Sequence, residues 1–268
     1  MTDLWEIVGR VQSSAPLVHC ITNPISINDC ANFILAVGAK PIMAEHPLEV
    51  EGITSGAGAL VINLGNITDV RMRSAEISAE TADRLNIPYV IDAVGAACSK
   101  LRLDFANSLI SRFTPSVIKG NADEIKALAG VGKHTRGVDA EECGDYPLLC
   151  QTAKELARKY GCTVLVSGKN DIVTDGNRAA LCKNGTPLMG RITGTGCIQG
   201  ALCGACLAEA EPFEAALCAA HLMGICGELA YSEGIGTGSY RTKMQDCLSL
   251  ICKNDFERLI KQEEVNEI

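Results

Sequence analysis

A chain of 268 residues, 47% of them hydrophobic and 21% charged, can bury a large core, which excludes wholesale disorder. Its net charge of −8 and the lack of a basic run predict no nucleic-acid partner. The 14 cysteines lie mostly among aliphatic residues and the first residues are acidic, so we expect reduced thiols, no signal peptide and a cytoplasmic protein. The longest apolar run, 198–208, is too short to span a membrane, and no membrane partner is expected.

In the first half of the chain, short apolar runs alternate with stretches of helical spacing. Gly38 stands where the first of these helices should end. The predicted strands are 17–21, 41–44, 59–64, 88–92 and 117–119, and the predicted helices are 27–35, 70–85, 103–113 and 122–129.

The second half begins with a polar stretch, 130–145, which is predicted to be a loop. A helix at 146–160 and a strand at 163–167 follow. Asp175-Gly176-Asn177 then predicts a hairpin between the strands 171–174 and 178–182. Beyond Cys197 the pattern is wholly helical. Uniformly apolar strands alternating with helices predict an α/β fold, a mostly parallel central sheet flanked by helices on both faces. No linker or repeat divides the chain, so residues 1–268 are expected to form a single domain.

Ligands of open α/β sheets bind at the carboxyl ends of the strands. Polar or glycine-rich residues follow five of the predicted strands and should converge on one crevice. They are 22–23, 63–66, Asp92, 119–121 and 167–169.

The segment that carries the chemistry is Thr193-Gly194-Thr195-Gly196-Cys197, which precedes a long run of small, helix-compatible residues. Glycines allow close approach of a phosphate, and a helix N-terminus offers unpaired N–H groups and a positive dipole end. Taken alone, the segment could equally be an ordinary glycine turn before a buried helix. No segment fits the P-loop pattern. The spacing of Gly194, Gly196 and Gly200 occurs in some dehydrogenases, but the motif lies late in the chain and follows no strong strand, so hydride transfer is a weak alternative.

Seven segments, in the same order along the chain, resemble the hydroxyethylthiazole kinase family of the ribokinase-like superfamily. The resemblance extends from about Leu17 to about Leu250. The segments are 18–23, 41–44, 58–65, 91–95, 120–125, 173–176 and 193–197. The resemblance implies a ribokinase-like fold and a reaction in which ATP, with Mg²⁺, phosphorylates the hydroxyl of 4-methyl-5-(2-hydroxyethyl)thiazole. It also implies a homotrimer with active sites between subunits.

The resemblance assigns catalysis to Cys197, which would orient the substrate hydroxyl where related kinases carry an aspartate. Because phosphoryl transfer depends more on positioning than on a strong base, a thiol can serve there. Lys119, Ser167 and Gly196 would contact ATP. A strand-end serine such as Ser167 is more often a turn former.

The expected metal residues are Asp92 and Glu124, which would hold Mg²⁺ largely through water. Asn121 and Glu124 share one helix face, and from the residues alone Asn121 could simply cap that helix. Asp92 could equally cap a turn in 92–95.

The resemblance assigns the substrate pocket to Asn23, Met43, Gly65 and Gly194. A thioether suits a flat sulfur heterocycle, although a methionine in a short strand is by default a core residue. His19, inside an apolar strand, is interpreted as a hydrogen-bonded core histidine, and the Cys203/Cys206 pair as core packing.

Three alternative functions remain open at this stage. One is a kinase for hydroxymethylpyrimidine or another small alcohol. The others are a dehydratase of hydrated nicotinamide nucleotides on the same fold and a nucleotide-binding regulator without turnover.

Overall fold

The strands of this computed structural model, which describes residues 3–131 and 146–265, form one nine-stranded sheet. In chain order they are β1 Leu17–Ile21, β2 Lys40–Ile42, β3 Ala59–Asn63, β4 Tyr89–Asp92, β5 Val117–Asn121, β6 Thr163–Ser167, β7 Asp171–Thr174, β8 Ala179–Cys182 and β9 Gln262–Glu264. Their order across the sheet is β2-β1-β3-β4-β5-β6-β7-β8-β9.

The strands from β2 across to β6 are parallel, and β7, β8 and β9 are antiparallel to their neighbours. The central strand β3 is buried along its whole length, as expected of a parallel strand covered on both faces. Parallel strands need crossover connections, and helices supply most of them here.

The helices lie on both faces of the sheet. They are α1 Leu4–Ser14, α2 Ile27–Val37, α3 Val50–Ser55, α4 Asp69–Leu85, α5 Lys100–Arg112, α6 Ala122–Leu128, α7 Tyr146–Tyr160, α8 Thr195–Leu207, α9 Pro212–Ala230, α10 Thr237–Leu250 and α11 Lys253–Leu259, with a 3-10 helix at Pro187–Arg191.

Two apolar clusters fill the two interfaces between sheet and helices. Val61 of β3 packs with α1, α2, α8, α9 and α10 on one face. Leu60 and Ile62 pack with α4, α5, α6 and α7 on the other. Side chains alternate across a strand, so one apolar strand serves both cores.

Most of the predicted elements are confirmed. The strands 17–21 and 163–167, the helix 146–160 and the hairpin around Asp175-Gly176-Asn177 have the predicted bounds to within a residue. Gly38 ends α2 in the left-handed conformation, with φ 103°. His19 is a core histidine: its ring nitrogens bond Thr54 Oγ1 and the Ala44 carbonyl, each at 2.9 Å.

Three points differ from the predicted pattern, and one prediction is not tested. The second strand is Lys40–Ile42, not 41–44. The chain beyond Cys197 is not wholly helical, because β9 pairs with β8. The sequence patterns gave no prediction for α1 or α3. Most of the predicted loop at 130–145 lies outside the described residues.

The thirteen cysteines in the described ranges are all free thiols, and Cys203 and Cys206 are fully buried in α8. Among the same residues, one helix, Pro212–Ala230, is long and apolar enough to cross a membrane, but 83% of its apolar window is buried inside the protein. Burial of this kind is typical of a core helix.

Candidate active site

Three polar side chains lie next to one another at the carboxyl ends of the central strands. Asn63 ends β3 and is in register with Asp92, which ends β4. Asp92 is in turn in register with Lys119 of β5. Residues in register on parallel strands share one face, and this face is covered by α8: a Cβ on Gly200 would lie 3.2 Å from Asp92 Oδ2. The predicted convergence of strand ends is therefore confirmed for these strands.

A continuous chain of polar contacts joins these side chains to the cysteine of the glycine turn. Lys119 Nζ donates to Asp92 Oδ1 at 3.1 Å. Asn63 Nδ2 donates to Asp92 Oδ2 at 2.8 Å. Asn23 Nδ2 lies 3.1 Å from Asn63 Oδ1 and 3.3 Å from Cys197 Sγ. The Cys197 thiol is thus linked through two amides to a buried ion pair.

The glycine turn forms the N-terminus of α8. Gly194 is the N-cap with φ 88°, no side chain caps the helix, and α8 begins at Thr195. Gly196 and Cys197 therefore lie inside the first turn rather than before it. A Cβ on Gly194 would lie 2.9 Å from Ser26 Cβ, so both the backbone conformation and the packing favour glycine. The first-turn N–H groups remain available to an anion.

A buried positive charge lies beneath this turn. Lys119 is only 2% exposed, and its Nζ is 3.5 Å from the position a Cβ on Gly196 would take. Burial lowers the pKa of Lys119, but the charges of Asp92 and Glu124 outweigh burial and raise that pKa above its ordinary value. The ammonium therefore stays charged and adds to the positive end of the α8 dipole.

The two carboxylates near Lys119 are held differently. Burial raises the pKa of Asp92, while Lys119 and Asn63 oppose that rise. Burial also raises the pKa of Glu124, and the Asp92 charge adds to it. Glu124 accepts the backbone N–H of Gly95 at 2.7 Å and that of Asn121 at 2.8 Å.

Asn121 and Glu124 form a capping box at the start of α6, because the Asn121 side chain accepts the Glu124 N–H at 2.9 Å. The capping interpretation of Asn121 is therefore confirmed. No cluster of three or more His, Cys, Asp or Glu side chains suited to a metal ion occurs in the described ranges. Asp92 and Glu124 nevertheless leave one negative charge in excess of Lys119. A hydrated divalent cation fits that excess better than an ion in direct contact, since the carboxylate oxygens already have partners.

The remaining candidate residues surround this centre. Gly65 donates its N–H to Asn63 Oδ1 at 2.9 Å, and a Cβ there would lie 2.9 Å from Asn23 Nδ2, so no side chain fits. Ser167 ends β6 and donates to the Gly120 carbonyl at 3.4 Å. Met43 follows β2, half-buried against the core on the α8 face.

The sequence reasoning placed Asn63 at the crevice without a role, and it gave Asp171 no role in the site. Asn63 joins Asn23 to Asp92, and its signal was an amide ending an otherwise apolar strand. Asp171 accepts the Gly168 N–H at 2.9 Å and the Gln199 side-chain amide at 2.6 Å. It thereby ties the turn after β6 to α8. Burial raises the pKa of Asp171 to about 6, although both hydrogen bonds and the Lys119 charge oppose the rise.

This architecture is shared with solved proteins. A ribokinase-like superfamily protein from Enterococcus faecalis superposes with a TM-score of 0.64 at 14% identity, over 96% of this chain and 95% of that one. At that identity the likeness concerns the fold alone. The fold is therefore ribokinase-like, and at its strand ends a glycine-capped helix N-terminus lies above a buried Lys–Asp pair.

The family is defined by closer relatives. The sequence model of the hydroxyethylthiazole kinase family matches residues 8–254. The hydroxyethylthiazole kinase 2 of Clostridium botulinum strain Hall is 46% identical over 246 residues, 90% of this chain and 92% of that protein. A solved hydroxyethylthiazole kinase from Pyrococcus horikoshii superposes with a TM-score of 0.91 at 38% identity, over 99% of this chain and 100% of that one. The chain belongs to the hydroxyethylthiazole kinase family.

Proposed function

We propose that this enzyme transfers the γ-phosphoryl group of ATP to the hydroxyl of 4-methyl-5-(2-hydroxyethyl)thiazole, a step of thiamine salvage. The observation that carries the proposal is the α8 N-terminus: an anion site with a buried ammonium below it and a thiol in its first turn. Membership of the family and the names of its relatives support the choice of substrate.

In this proposal the phosphates of ATP lie on the first turn of α8, with Gly196 allowing close approach. Lys119 acts from below the turn, and its charge favours the developing negative charge on the phosphoryl oxygens. Ser167, at the end of the neighbouring strand β6, contacts the nucleotide. Asp171 holds the Gly168 turn beside it through the bond to the Gly168 N–H.

The substrate alcohol lies against Asn23, Met43, Gly65 and Gly194. Its hydroxyl oxygen attacks the γ-phosphorus, the new O–P bond forms as the bond to ADP breaks, and the hydroxyl proton is released. Cys197 is the catalytic residue, orienting that hydroxyl. Asn23 contacts the Cys197 sulfur at 3.3 Å and so fixes its direction. Positioning of this kind supplies much of the rate in phosphoryl transfer.

Asp92 and Glu124 would hold Mg²⁺ through its water shell. When bound, the ion neutralises phosphate charge. The excess negative charge of the two carboxylates over Lys119 supports this assignment, since Mg²⁺ is usually bound through one or two carboxylates together with substrate phosphates. The carboxylates themselves hold Lys119 and the Gly95 turn in place.

We also propose that residues 1–268 are one ribokinase-like domain that works in the cytoplasm as a homotrimer, with each active site at a subunit interface. One continuous sheet supports the single domain. Two aliphatic side chains on loops at the carboxyl edge support the interface: Ile25, two residues after Asn23, is 65% exposed, and Leu48, five residues after Met43, is 90% exposed. A second copy of the chain covering this edge would bury both.

The proposal is tested by coupled ADP release with ATP, Mg²⁺ and hydroxyethylthiazole, run beside hydroxymethylpyrimidine. We expect release with the thiazole alone. Release with the pyrimidine alone would favour the other small-alcohol kinase, and release with neither would refute the kinase reaction as written.

The role of Cys197 is tested by Cys197→Ala, with Cys203→Ala as the matched control in the same helix. We expect kcat to fall at least tenfold in the first variant and to stay near the wild-type value in the second. Unchanged kcat and unchanged KM for the thiazole in Cys197→Ala would show that this thiol has no part in the reaction.

A further inference from the structure

A cavity lies at the edge of the sheet opposite the candidate active site. β7 runs antiparallel to β6, so its last residue, Thr174, is in register with Val164 near the start of β6. The turn after β7 therefore lies at the amino ends of the parallel strands. Beside it is a cavity of about 1370 Å³, lined by α7, this turn, the start of α9 and β9.

One wall of the cavity carries a lysine with a largely buried side chain and no ion pair among the described residues. Lys154 of α7 is 7% exposed and shares the buried stripe of α7 with Cys150, Ala153 and Ala157. It lines the cavity. Its ammonium makes no hydrogen bond or ion pair with any residue in the described ranges. The ammonium nitrogen keeps contact with solvent, so the mostly buried stem presents the charge to the cavity.

A second cation follows one helical turn later. Arg158 is four residues after Lys154, so both side chains leave α7 on the same side, and Arg158 also lines the cavity. No ion pair engages it in the part of the chain that the structure describes. Gly176, with φ 90°, packs on its stem: a Cβ there would lie 2.6 Å from Arg158 Cγ. The β7–β8 turn thus holds Arg158 against the cavity wall.

Most of the other charges around the cavity are already paired. Arg178 bonds Asp175 and Glu214, each at 2.8 Å. Lys253 pairs with Asp3 at 2.8 Å and with Glu257 at 3.4 Å.

One lining carboxylate, Glu264 of β9, has no ion pair among the described residues. Lys154 and Arg158 are thus two cations, and Glu264 is one carboxylate, that line the cavity without an ion pair among the described residues. The apolar side chains of Phe213 and Leu217 complete the wall.

We propose that this cavity is a binding site for a small oxyanion, a phosphate- or carboxylate-bearing metabolite whose anionic group lies between Lys154 and Arg158. The cations supply charge-assisted hydrogen bonds, Glu264 accepts from an O–H or N–H of the ligand, and Phe213 contacts its apolar part. Because the site lies at the opposite edge of the sheet, it is filled independently of the substrates.

The test is calorimetric titration with two probes, citrate for carboxylates and pyrophosphate for phosphates, in the absence of Mg²⁺. The proteins are the wild type, Lys154→Met, Arg158→Met and the matched control Lys159→Met, which changes the next residue of α7, outside the cavity lining. Any binding of a probe at the α8 N-terminus is common to all four proteins, so differences between them report the cavity.

We expect at least one probe to bind the wild type and Lys159→Met alike, and Lys154→Met and Arg158→Met about tenfold more weakly. The preferred probe identifies the oxyanion. Equal affinity in all four proteins, or no binding to the wild type, would overturn the site.

Thermal unfolding provides a second readout. Because Met keeps the apolar stem, and the ammonium that it removes has no ion pair among the described residues, Lys154→Met should unfold near the wild-type temperature. A clear fall would mean that Lys154 has a structural partner and would also overturn the proposal. Arg158 is exposed, so Arg158→Met keeps the binding test available if Lys154→Met folds poorly.

Discussion

Replacing Lys119 by methionine should destabilise the fold strongly. Lys119 and Asp92 are 2% and 0% exposed, and 3.1 Å separates Nζ from Oδ1. Removing one partner of a buried pair leaves an uncompensated charge and costs about 3–5 kcal/mol. For a chain of this size, 1 kcal/mol changes the Tm by about 2–4 °C, so Lys119→Met should unfold about 6–20 °C below the wild type.

The reverse substitution, Asp92→Asn, should cost less. Lys119 retains a second anion, Glu124, whose charge also raises the Lys119 pKa. Among the described residues, Lys119 is the one cation that opposes the raised pKa of Asp92. In the double variant Lys119→Met/Asp92→Asn the Asp92 charge is no longer left alone, and the amide can still accept from Asn63. Glu124 loses its cation but keeps its two backbone N–H donors. The double variant should therefore recover at least half of the Tm loss of Lys119→Met.

Thermal unfolding of the four proteins at one protein concentration measures this cycle, since assembly makes Tm concentration-dependent. The reasoning fails if Lys119→Met unfolds within 2 °C of the wild type, or if Asp92→Asn is as damaging as Lys119→Met. The first result would mean that the ammonium is solvated, and the second that Glu124 gives it no support.

Two further predictions concern α8 and its neighbours. A Cβ on Gly204 would lie 2.3 Å from Val61 Cγ2, so Gly204→Ala should cost about 1–3 kcal/mol by overpacking. Val61→Ala should relieve part of that cost, so the Tm loss of Gly204→Ala/Val61→Ala should be smaller than the sum of the two single losses. A loss equal to that sum would contradict the overpacking argument. Burial raises the pKa of Asp171 from 3.8 to about 6, so the folded protein binds the Asp171 proton more tightly than the unfolded chain does. The stability of the fold therefore falls as the pH rises through that range. Asp171→Asn should therefore raise the Tm at pH 7.5, with the advantage shrinking towards pH 4.5. The new amide can donate to Gln199 Oε1, which has no partner now, once the Gln199 side-chain amide turns over. A Tm difference between Asp171→Asn and the wild type that does not change with pH would refute the raised pKa of Asp171.

The alternation of apolar runs and helical spacing was enough to predict most of the sheet. Parallel strands covered on both faces are apolar throughout, and β3 and β6 stood out for that reason. β9 could not be predicted in this way. Its residues, Gln262–Glu264, are polar and partly exposed, and the strand is defined by backbone pairing with β8 rather than by burial. By contrast, α1 carried a readable signal, because Leu4, Ile7, Val8 and Val11 lie on one helix face after the cap Asp3.

The residues of the site were predictable in part, and their contacts were not. Strand ends must converge in a parallel sheet, which is why Asp92 and Lys119 could be named. Their ion pair depends on the register of β4 against β5, which no local pattern encodes. The resemblance suggested that Lys119 contacts ATP phosphates, and the described geometry places its charge beneath the α8 turn. Whether it also touches a phosphate directly stays a prediction.

The buried polar chain predicts that the α8 face of the sheet tolerates little change at its carboxyl edge. Each member satisfies the next: Asn23 bonds Asn63, Asn63 bonds Asp92, and Asp92 bonds Lys119. A buried network is stable only when every member has its partner. Removing any one of these side chains therefore leaves an orphaned group as well as a changed site. Losses of activity there must be compared with losses of stability. Cys197 is half-buried and lies at the end of this series of polar contacts, so it is the position where a loss of activity is best separated from a loss of stability.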